Sequence, residues 1–206
     1  MRLIYFADPM CSWCYGFGPA LTRALAQRPA ARLELVMGGL RAFNTQALTP
    51  ALRETILGHW RHVADASGLP FNRGALDRDG FVYDTEPACR AVVTVRESDS
   101  AKAFGMLEAV QRAFYRDGRD VTQADVLADI AAANGFDREA FRRRFESDDL
   151  REATRRDFAT TQSLGVGGFP TLAVGDRPRL DLVTAGYIAA EFLESRLGEI
   201  ERRVAG

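Results

Sequence analysis

The sequence predicts an α/β fold in which an open sheet is divided into two halves by an all-helical segment. A strand, a helix and a second strand follow one another at the start of the chain. The long middle part shows helical periods and no strand pattern. Strands return only near the C-terminus, before a last helix. This order is typical of one sheet that carries a helical insertion.

The N-terminal part predicts a βαβ unit. Residues 3–7 are short and apolar on both faces, as expected of a buried strand. Residues 15–27 have a helical pattern that contains Pro19, where we expect a kink because proline lacks the N–H donor. Residues 32–37 alternate polar and apolar side chains and end at two glycines. The crossover between the two strands should be right-handed.

The middle of the chain predicts helices only. Thr85 is expected to cap a helix that begins at Glu86, with Pro87 in the first turn where its missing donor does no harm. Residues 71–83 have no clear period and are predicted to be loop. The other helices are predicted at residues 50–67, 100–116, 123–134, 138–146 and 150–164.

The C-terminal part predicts two short strands, at residues 171–174 and 179–182, around a turn at residues 175–178. An amphipathic helix is predicted at residues 187–204, with Phe192 on its core face beside apolar residues such as Leu193 and Leu197. We therefore expect the first half of the sheet domain at residues 1–45, the helical insertion at 46–150 and the second half at 151–206.

The composition is that of an ordinary globular protein. The 206 residues are 47% hydrophobic and 27% charged, with a formal net charge of -1. The balanced charge favours neither nucleic acid nor an anionic membrane as a partner. No apolar run approaches the ~20 residues that span a bilayer. The chain leaves no room for a secretory leader before its first motif, which predicts a cytoplasmic protein. The oligomeric state stays open.

The main chemical signal is the pair Cys11 and Cys14, separated by two residues between the first strand and the first helix. A Cys-x-x-Cys at such a junction is typical of a thioredoxin-like redox motif. The N–H groups and the dipole of the helix should stabilise a Cys11 thiolate, with a pKa of roughly 3.5–7.5. Cys14, one turn further, can close a disulfide with Cys11.

Other cysteines and histidines give weaker signals. A structural zinc site would need two more ligands, and the sequence holds no second Cys-x-x-Cys. Cys89 is predicted to be a buried, small apolar residue, and a third redox thiol is the alternative. His59 and His62 lie three apart on a helix, but without a third ligand we predict no metal site.

The second chemical signal is the segment of residues 165–171 (GVGGFPT), which leads into the returning strand. A proline at the start of a strand is often only structural. The glycines around Pro170 indicate instead that backbone passes close to another group. Together with the early cysteine pair, this segment favours a redox site.

On residues 8–14 (DPMCSWC), Pro19 and residues 166–171 (VGGFPT), the chain resembles the DsbA-like branch of the thioredoxin superfamily. Within that branch it is similar to the cytoplasmic FrnE-like group of predicted protein disulfide isomerases. The resemblance implies a thioredoxin-like fold, a central mixed sheet flanked by helices, interrupted by an all-helical insertion. It covers the whole chain, with the specific motifs in the two end segments.

The resemblance also implies roles for site residues. Cys11 would be the exposed nucleophile and Cys14 the resolving thiol. Pro170 would be cis and face the disulfide, and Phe169 would offer its backbone to an extended substrate. Trp13, between the cysteines, is predicted to be exposed and to contact substrate.

This chain departs from the family pattern at two places. Many thioredoxin-like enzymes have a buried acid six residues before the first cysteine, where this chain has Tyr5. Asp8 is the nearest acid in sequence, and its role stays open. The inner pair Ser12 and Trp13 differs from the Pro-His of the strongly oxidising periplasmic enzymes, so extreme oxidising power is not implied.

The resulting hypothesis is a thiol–disulfide oxidoreductase or isomerase that acts on protein or small-thiol disulfides through Cys11 and Cys14. It needs no cofactor, and glutathione is a candidate electron partner. The alternative is a glutathione-dependent transferase or isomerase of the same fold that acts on a small molecule. A binding module with a vestigial cysteine pair is a third reading. The substrate and the direction of electron flow stay open.

Overall fold

The computed structural model describes residues 1–176 and 179–205, with side chains through residue 203. The described strands form one mixed sheet in the order β2-β1-β3-β4. β1 pairs in parallel with β2, and β3 pairs antiparallel with both β1 and β4. The central mixed sheet is therefore as predicted. The strands are β1 (Arg2–Ala7), β2 (Arg32–Met37), β3 (Thr171–Asp176) and β4 (Arg179–Ala185).

Eight α-helices accompany the sheet in the described ranges. They are α1 (Ser12–Ala26), α2 (Pro50–Ser67), α3 (Glu86–Arg96), α4 (Ala103–Gln111), α5 (Ala124–Ala133), α6 (Arg138–Phe145), α7 (Asp148–Ser163) and α8 (Ala190–Ala205). None of the described helices is both long enough and apolar enough to cross a membrane.

The predicted elements are present, with differences at their ends. β2 and α2 have the predicted bounds, whereas α1 begins three residues early, at Ser12. The helix predicted at residues 100–116 consists of a 3-10 turn, α4 and a π-helical turn, Arg112–Arg116. Of the turn predicted at residues 175–178, Arg177 and Pro178 lie outside the described residues.

The predicted cap of α3 is wrong. Thr85 precedes the helix, but its hydroxyl accepts a hydrogen bond from the N–H of Arg41 at 3.2 Å. The first free N–H of the helix, that of Glu86, instead donates to the carboxylate of Asp84 at 3.0 Å. The Thr85 side chain therefore joins the start of α3 to the segment that follows β2.

The last helix also differs from the prediction. It begins at Ala190, three residues later than expected, and Phe192 is 68% exposed. Leu193 and Leu197 are fully buried, four residues apart on one face. Phe192 precedes Leu193 by one position, which turns its side chain about 100° away from that face.

The sheet has a different environment on each face. Alternate side chains of β1 point to opposite sides, so that Leu3 and Tyr5 belong to the main core that includes α1 and α8. On the other face Ile4 and Phe6 form a smaller cluster with Val36. β1 is thus buried on both faces, as its continuous apolar run predicted.

An ion pair joins the insertion to the sheet. Asp157 in α7 accepts hydrogen bonds from Arg96 of α3 at 2.6 and 3.0 Å and from the N–H of Met37 at 2.8 Å. Arg96 also donates to the carbonyl of Leu35 in β2. Both charged side chains are largely buried, at 18% and 11% exposure. The division of the chain at residues 45 and 150 stays a prediction.

We predict that Asp157→Ala lowers the free energy of unfolding by about 3 kcal/mol, because it removes the buried carboxylate that pairs with the largely buried Arg96 and leaves only the more exposed Glu97. Urea unfolding followed by circular dichroism measures this. Glu152→Ala is the matched control on the same helix: Glu152 is exposed and 3.6 Å from Arg155, so the change should stay within about 0.5 kcal/mol. Equal losses in the two variants would contradict a structural role for the Asp157 pair.

Candidate functional site

Cys11 lies where β1 ends and α1 begins. It is the N-terminal capping residue of α1, with extended backbone angles (φ -91°, ψ 117°), and its carbonyl accepts from the N–H of Tyr15. Its own N–H donates to the carbonyl of Asp8 at 3.1 Å. The sulfur therefore sits at the end of the helix that carries partial positive charge. Cys11 is only 6% exposed, less than the prediction of an exposed nucleophile implied.

Cys14 lies one turn into α1 and is fully buried. Both cysteines are free thiols, and the two thiols lie within hydrogen-bonding reach of each other. Burial raises the pKa of the Cys14 thiol well above its usual range, and the neighbouring Cys11 adds to this shift. The structure thus brings the predicted pair together with unequal access to solvent.

The segment around Pro170 meets the cysteine pair. The Phe169–Pro170 peptide bond is cis, and the Cys11 thiol donates to the carbonyl of Phe169 at 3.6 Å. The carbonyl of Pro170 accepts from the N–H of Gly186, which ties this loop to the end of β4. The two motifs, 158 residues apart in the chain, therefore form one site.

Gly38 leaves open the space that the ring of Phe169 occupies. A Cβ atom at Gly38 would lie 2.0 Å from the ring of Phe169. The N–H of Gly38 also donates to the carbonyl of Ala7, so its backbone is fixed against β1. Only a residue without a side chain fits there while the Phe169 ring keeps its position.

Trp13 is half-buried, not exposed as predicted. Its ring packs against that of Tyr187 with a centroid distance of 5.3 Å and an interplanar angle of 42°. Tyr187 is itself held by a hydrogen bond from its hydroxyl to the carbonyl of Ala66. The pair places an aromatic surface next to the cysteines, and contact of Trp13 with substrate stays a prediction.

Asp8 is the acid closest to the pair, and it is fully buried. Its carboxylate accepts from the N–H groups of Met10 at 2.8 Å and Leu40 at 2.7 Å. Burial raises the pKa of Asp8 despite these hydrogen bonds. Cys89, buried as predicted, donates from its thiol to the same carboxylate at 3.5 Å. It therefore contacts the residue that shapes the β1–α1 turn.

The insertion contributes a residue that the sequence did not predict for the site. The hydroxyl of Tyr83 donates to the carbonyl of Met10 at 2.5 Å, and the residue is buried. Burial raises the pKa of Tyr83, so the phenol stays a neutral donor. Tyr83 ends the aperiodic stretch predicted to be loop, where no spacing marks a functional side chain.

An apolar cleft of about 620 Å³ lies beside the site. Phe169 and the glycines before it form part of its wall, and the rest comes mainly from Leu164, Val166 and apolar side chains of β1, β3 and β4. Neither cysteine lines this cleft, so its volume alone does not identify the reacting centre.

A family model for the DSBA-like thioredoxin domain matches residues 2–198. The chain belongs to this family. Members of the DsbA-like family are generally thiol–disulfide oxidoreductases that act on thiols or disulfides. The fold and the family predicted from the sequence are therefore confirmed.

Solved structures of related proteins are similar over nearly the whole chain. A putative protein disulfide isomerase from Nitrosomonas europaea is 37% identical, with a TM-score of 0.90 over 98% of each chain. Cytosolic disulfide reductase DsbM from Pseudomonas aeruginosa is 28% identical, with a TM-score of 0.80 over 100% of this chain and 99% of its own. A structure of DsbM with GSH has a TM-score of 0.79.

The similarity to one further solved structure shows only that the two proteins share a fold. The 2-hydroxychromene-2-carboxylate isomerase is 18% identical, with a TM-score of 0.69 over 100% of this chain and 98% of its own. A comparison with curated proteins gave no match.

We predict that Gly38→Ala lowers the free energy of unfolding by about 1–3 kcal/mol, since the new methyl group overlaps the Phe169 ring. Chemical denaturation measures the loss. Adding Phe169→Leu to the same chain should restore part of it, because a smaller side chain makes room.

Gly105→Ala is the control for this prediction. Gly105 lies in α4, and apart from its chain neighbours and the backbone of its own helix no atom of the described residues lies within 4 Å of the place that its Cβ would take, so alanine should be neutral or slightly stabilising. A Gly38→Ala chain as stable as the native one would show that Phe169 is not held by this contact.

Proposed function

We propose that this protein is a thiol–disulfide oxidoreductase in which Cys11 is the nucleophile and Cys14 the resolving thiol. One observation carries the proposal. Two free thiols lie at the N-terminus of α1, and the first of them contacts the carbonyl of Phe169, next to the cis bond to Pro170. This arrangement joins a nucleophile, an internal second thiol and exposed backbone in one place.

The proposed chemistry is an exchange of two sulfur–sulfur bonds. The Cys11 thiolate attacks a substrate disulfide, which releases one substrate thiol and leaves a mixed disulfide. Cys14 then attacks the Cys11 sulfur, the Cys11–Cys14 disulfide forms, and the second substrate thiol leaves. The substrate gains two electrons and two protons, and the enzyme loses them. Unusual acidity of the Cys11 thiol stays a prediction.

The backbone before Pro170 supports the binding of an extended substrate. The N–H groups of Gly167, Gly168 and Phe169 have no hydrogen-bond partner in the described part of the chain. Gly167 and Gly168 are exposed, so a substrate strand can approach them closely. Such a strand would pair with this backbone by β-augmentation and bring its disulfide to Cys11.

We further propose that glutathione is the electron partner and that the protein works in the cytoplasm. Two glutathione molecules would reduce the Cys11–Cys14 disulfide and leave as oxidised glutathione. The relative whose name includes "cytosolic disulfide reductase" has a structure with GSH and is 28% identical. Reduction or isomerisation of disulfides, on proteins or on small thiols, is the activity that fits this supply of electrons.

A glutathione-dependent transferase or isomerase is the second candidate. The fold likeness to 2-hydroxychromene-2-carboxylate isomerase is compatible with it, but the fold supports many activities. A buried second thiol beside the nucleophile favours disulfide exchange, because a transferase has no use for a resolving group. Insulin reduction and glutathione conjugation, assayed side by side, separate the two.

We predict that Cys14→Ser accumulates a mixed disulfide with substrate or glutathione, since nothing then attacks the Cys11 sulfur. Cys11→Ser should abolish both insulin reduction and adduct formation. Mass spectrometry of the non-reduced protein detects the adduct, and its loss on reduction identifies the bond.

Cys89→Ala is the matched control, because it removes the third buried thiol and leaves the pair intact. It should form no trapped adduct, because Cys14 is still present to attack the Cys11 sulfur. Full turnover by Cys14→Ser would contradict the resolving role, and activity in Cys11→Ser would contradict the whole proposal.

A further inference from the structure

Tyr5 has a buried hydroxyl that the fold itself does not explain. The residue is 1% exposed, and its hydroxyl makes no well-formed hydrogen bond within the described residues. A buried polar group without a partner costs stability, whereas phenylalanine would fill the same space without that cost. The hydroxyl therefore needs a reason beyond packing.

The position of Tyr5 on β1 places its ring below the cysteine pair. Its side chain lies on the face of β1 that packs against α1, and its ring centroid is 5.8 Å from that of Phe17. Phe17 follows Cys14 by three residues, so the two share one face of α1. The Tyr5 hydroxyl lies within reach of the Cys14 thiol.

We propose that the Tyr5 hydroxyl donates a hydrogen bond to the Cys14 sulfur as it becomes a thiolate, and thereby promotes its attack on the mixed disulfide. This inference rests on the proposed function and deepens it. It assigns to the neutral Tyr5 hydroxyl the role of hydrogen-bond donor to the resolving cysteine.

The charges around the two groups make the phenol a donor and not a base. Burial raises the pKa of both Tyr5 and Cys14. The ionisable groups that face them in the mixed disulfide are Asp8 and, from α4, Glu108, both of which oppose further negative charge; Cys11 is then bonded to substrate and carries no charge. A Cys14 thiolate is thus formed against repulsion, and a donor that stays protonated offsets part of it.

The protons and electrons of this step balance without Tyr5 acting as a base. Cys14 loses its proton to solvent, its thiolate attacks the Cys11 sulfur, and the Cys11–Cys14 bond forms. The bond from Cys11 to the substrate sulfur breaks, and the electron pair leaves on the substrate thiolate, which takes up a proton from solvent. The Tyr5 proton stays on its oxygen throughout.

The test follows the two steps separately with one equivalent of the aromatic disulfide 5,5′-dithiobis(2-nitrobenzoate). The first coloured thiolate is released by Cys11, and the second is released when Cys14 resolves the mixed disulfide. In Tyr5→Phe the first phase should be unchanged. The second should be about three- to tenfold slower at neutral pH, because the more basic thiolate is scarcer but more nucleophilic.

The pH profile gives a readout that a merely structural role would not move. The second phase of Tyr5→Phe should reach half its maximum about one to two pH units higher than in the native protein. Its thermal unfolding midpoint should stay the same or rise, since an unpaired hydroxyl is removed. A second phase with the native rate and pH profile would overturn the inference.

Tyr115→Phe is the matched control. Tyr115 is also fully buried and its hydroxyl lacks a well-formed hydrogen bond in the described structure, but it faces Tyr83 and not Cys14. Its second phase should follow the native pH profile, and an equal shift there would refute a specific role for Tyr5. Failure of the proposed function would look different, because the native protein would then show no second phase.

Discussion

The site depends on one buried carboxylate at the turn between β1 and α1. The Asp8 carboxylate accepts hydrogen bonds from the N–H of Met10 within the turn and from the N–H of Leu40 in the segment after β2. The carbonyl of Asp8 accepts a hydrogen bond from the N–H of Cys11 at 3.1 Å. Because these groups are all bonded to Asp8, the turn fixes the position of Cys11 and the start of α1, which carries Cys14.

The insertion is part of this arrangement and not an addition to it. Tyr83 donates a hydrogen bond to the carbonyl of Met10, and Cys89 contacts the Asp8 carboxylate. Thr85 fixes the segment that carries Leu40. The helical part therefore completes the inner wall of the site, while the sheet supplies the cysteine turn and the Phe169 backbone. Loss of packing in the insertion should therefore change the positions of the Cys11 and Cys14 sulfurs.

Local signals in the sequence predicted the fold and the cysteine pair of the candidate site, whereas features that depend on contacts between distant parts of the chain were not predicted. Helix α2 and the cysteine pair carry their signals within a few residues, so both were predicted from the sequence. Tyr83 and Gly38 act only through partners distant in the chain, Met10 and Phe169, and neither has a local signal for that role. Phe192 shows the same limit, since a helical period alone did not fix which face is buried.

The unequal burial of the two thiols determines the order of the steps in the proposed reaction. Cys14 has no exposed surface, so a substrate disulfide can reach only Cys11, and Cys14 can react only with a bond that Cys11 already holds. A thiol whose pKa is raised by burial attacks slowly at neutral pH. A mixed disulfide that persists gives a second thiol of the substrate time to attack, which is isomerisation, whereas fast attack by Cys14 gives reduction. In the proposed reaction we therefore expect the groups around Cys14 to set the balance between reduction and isomerisation.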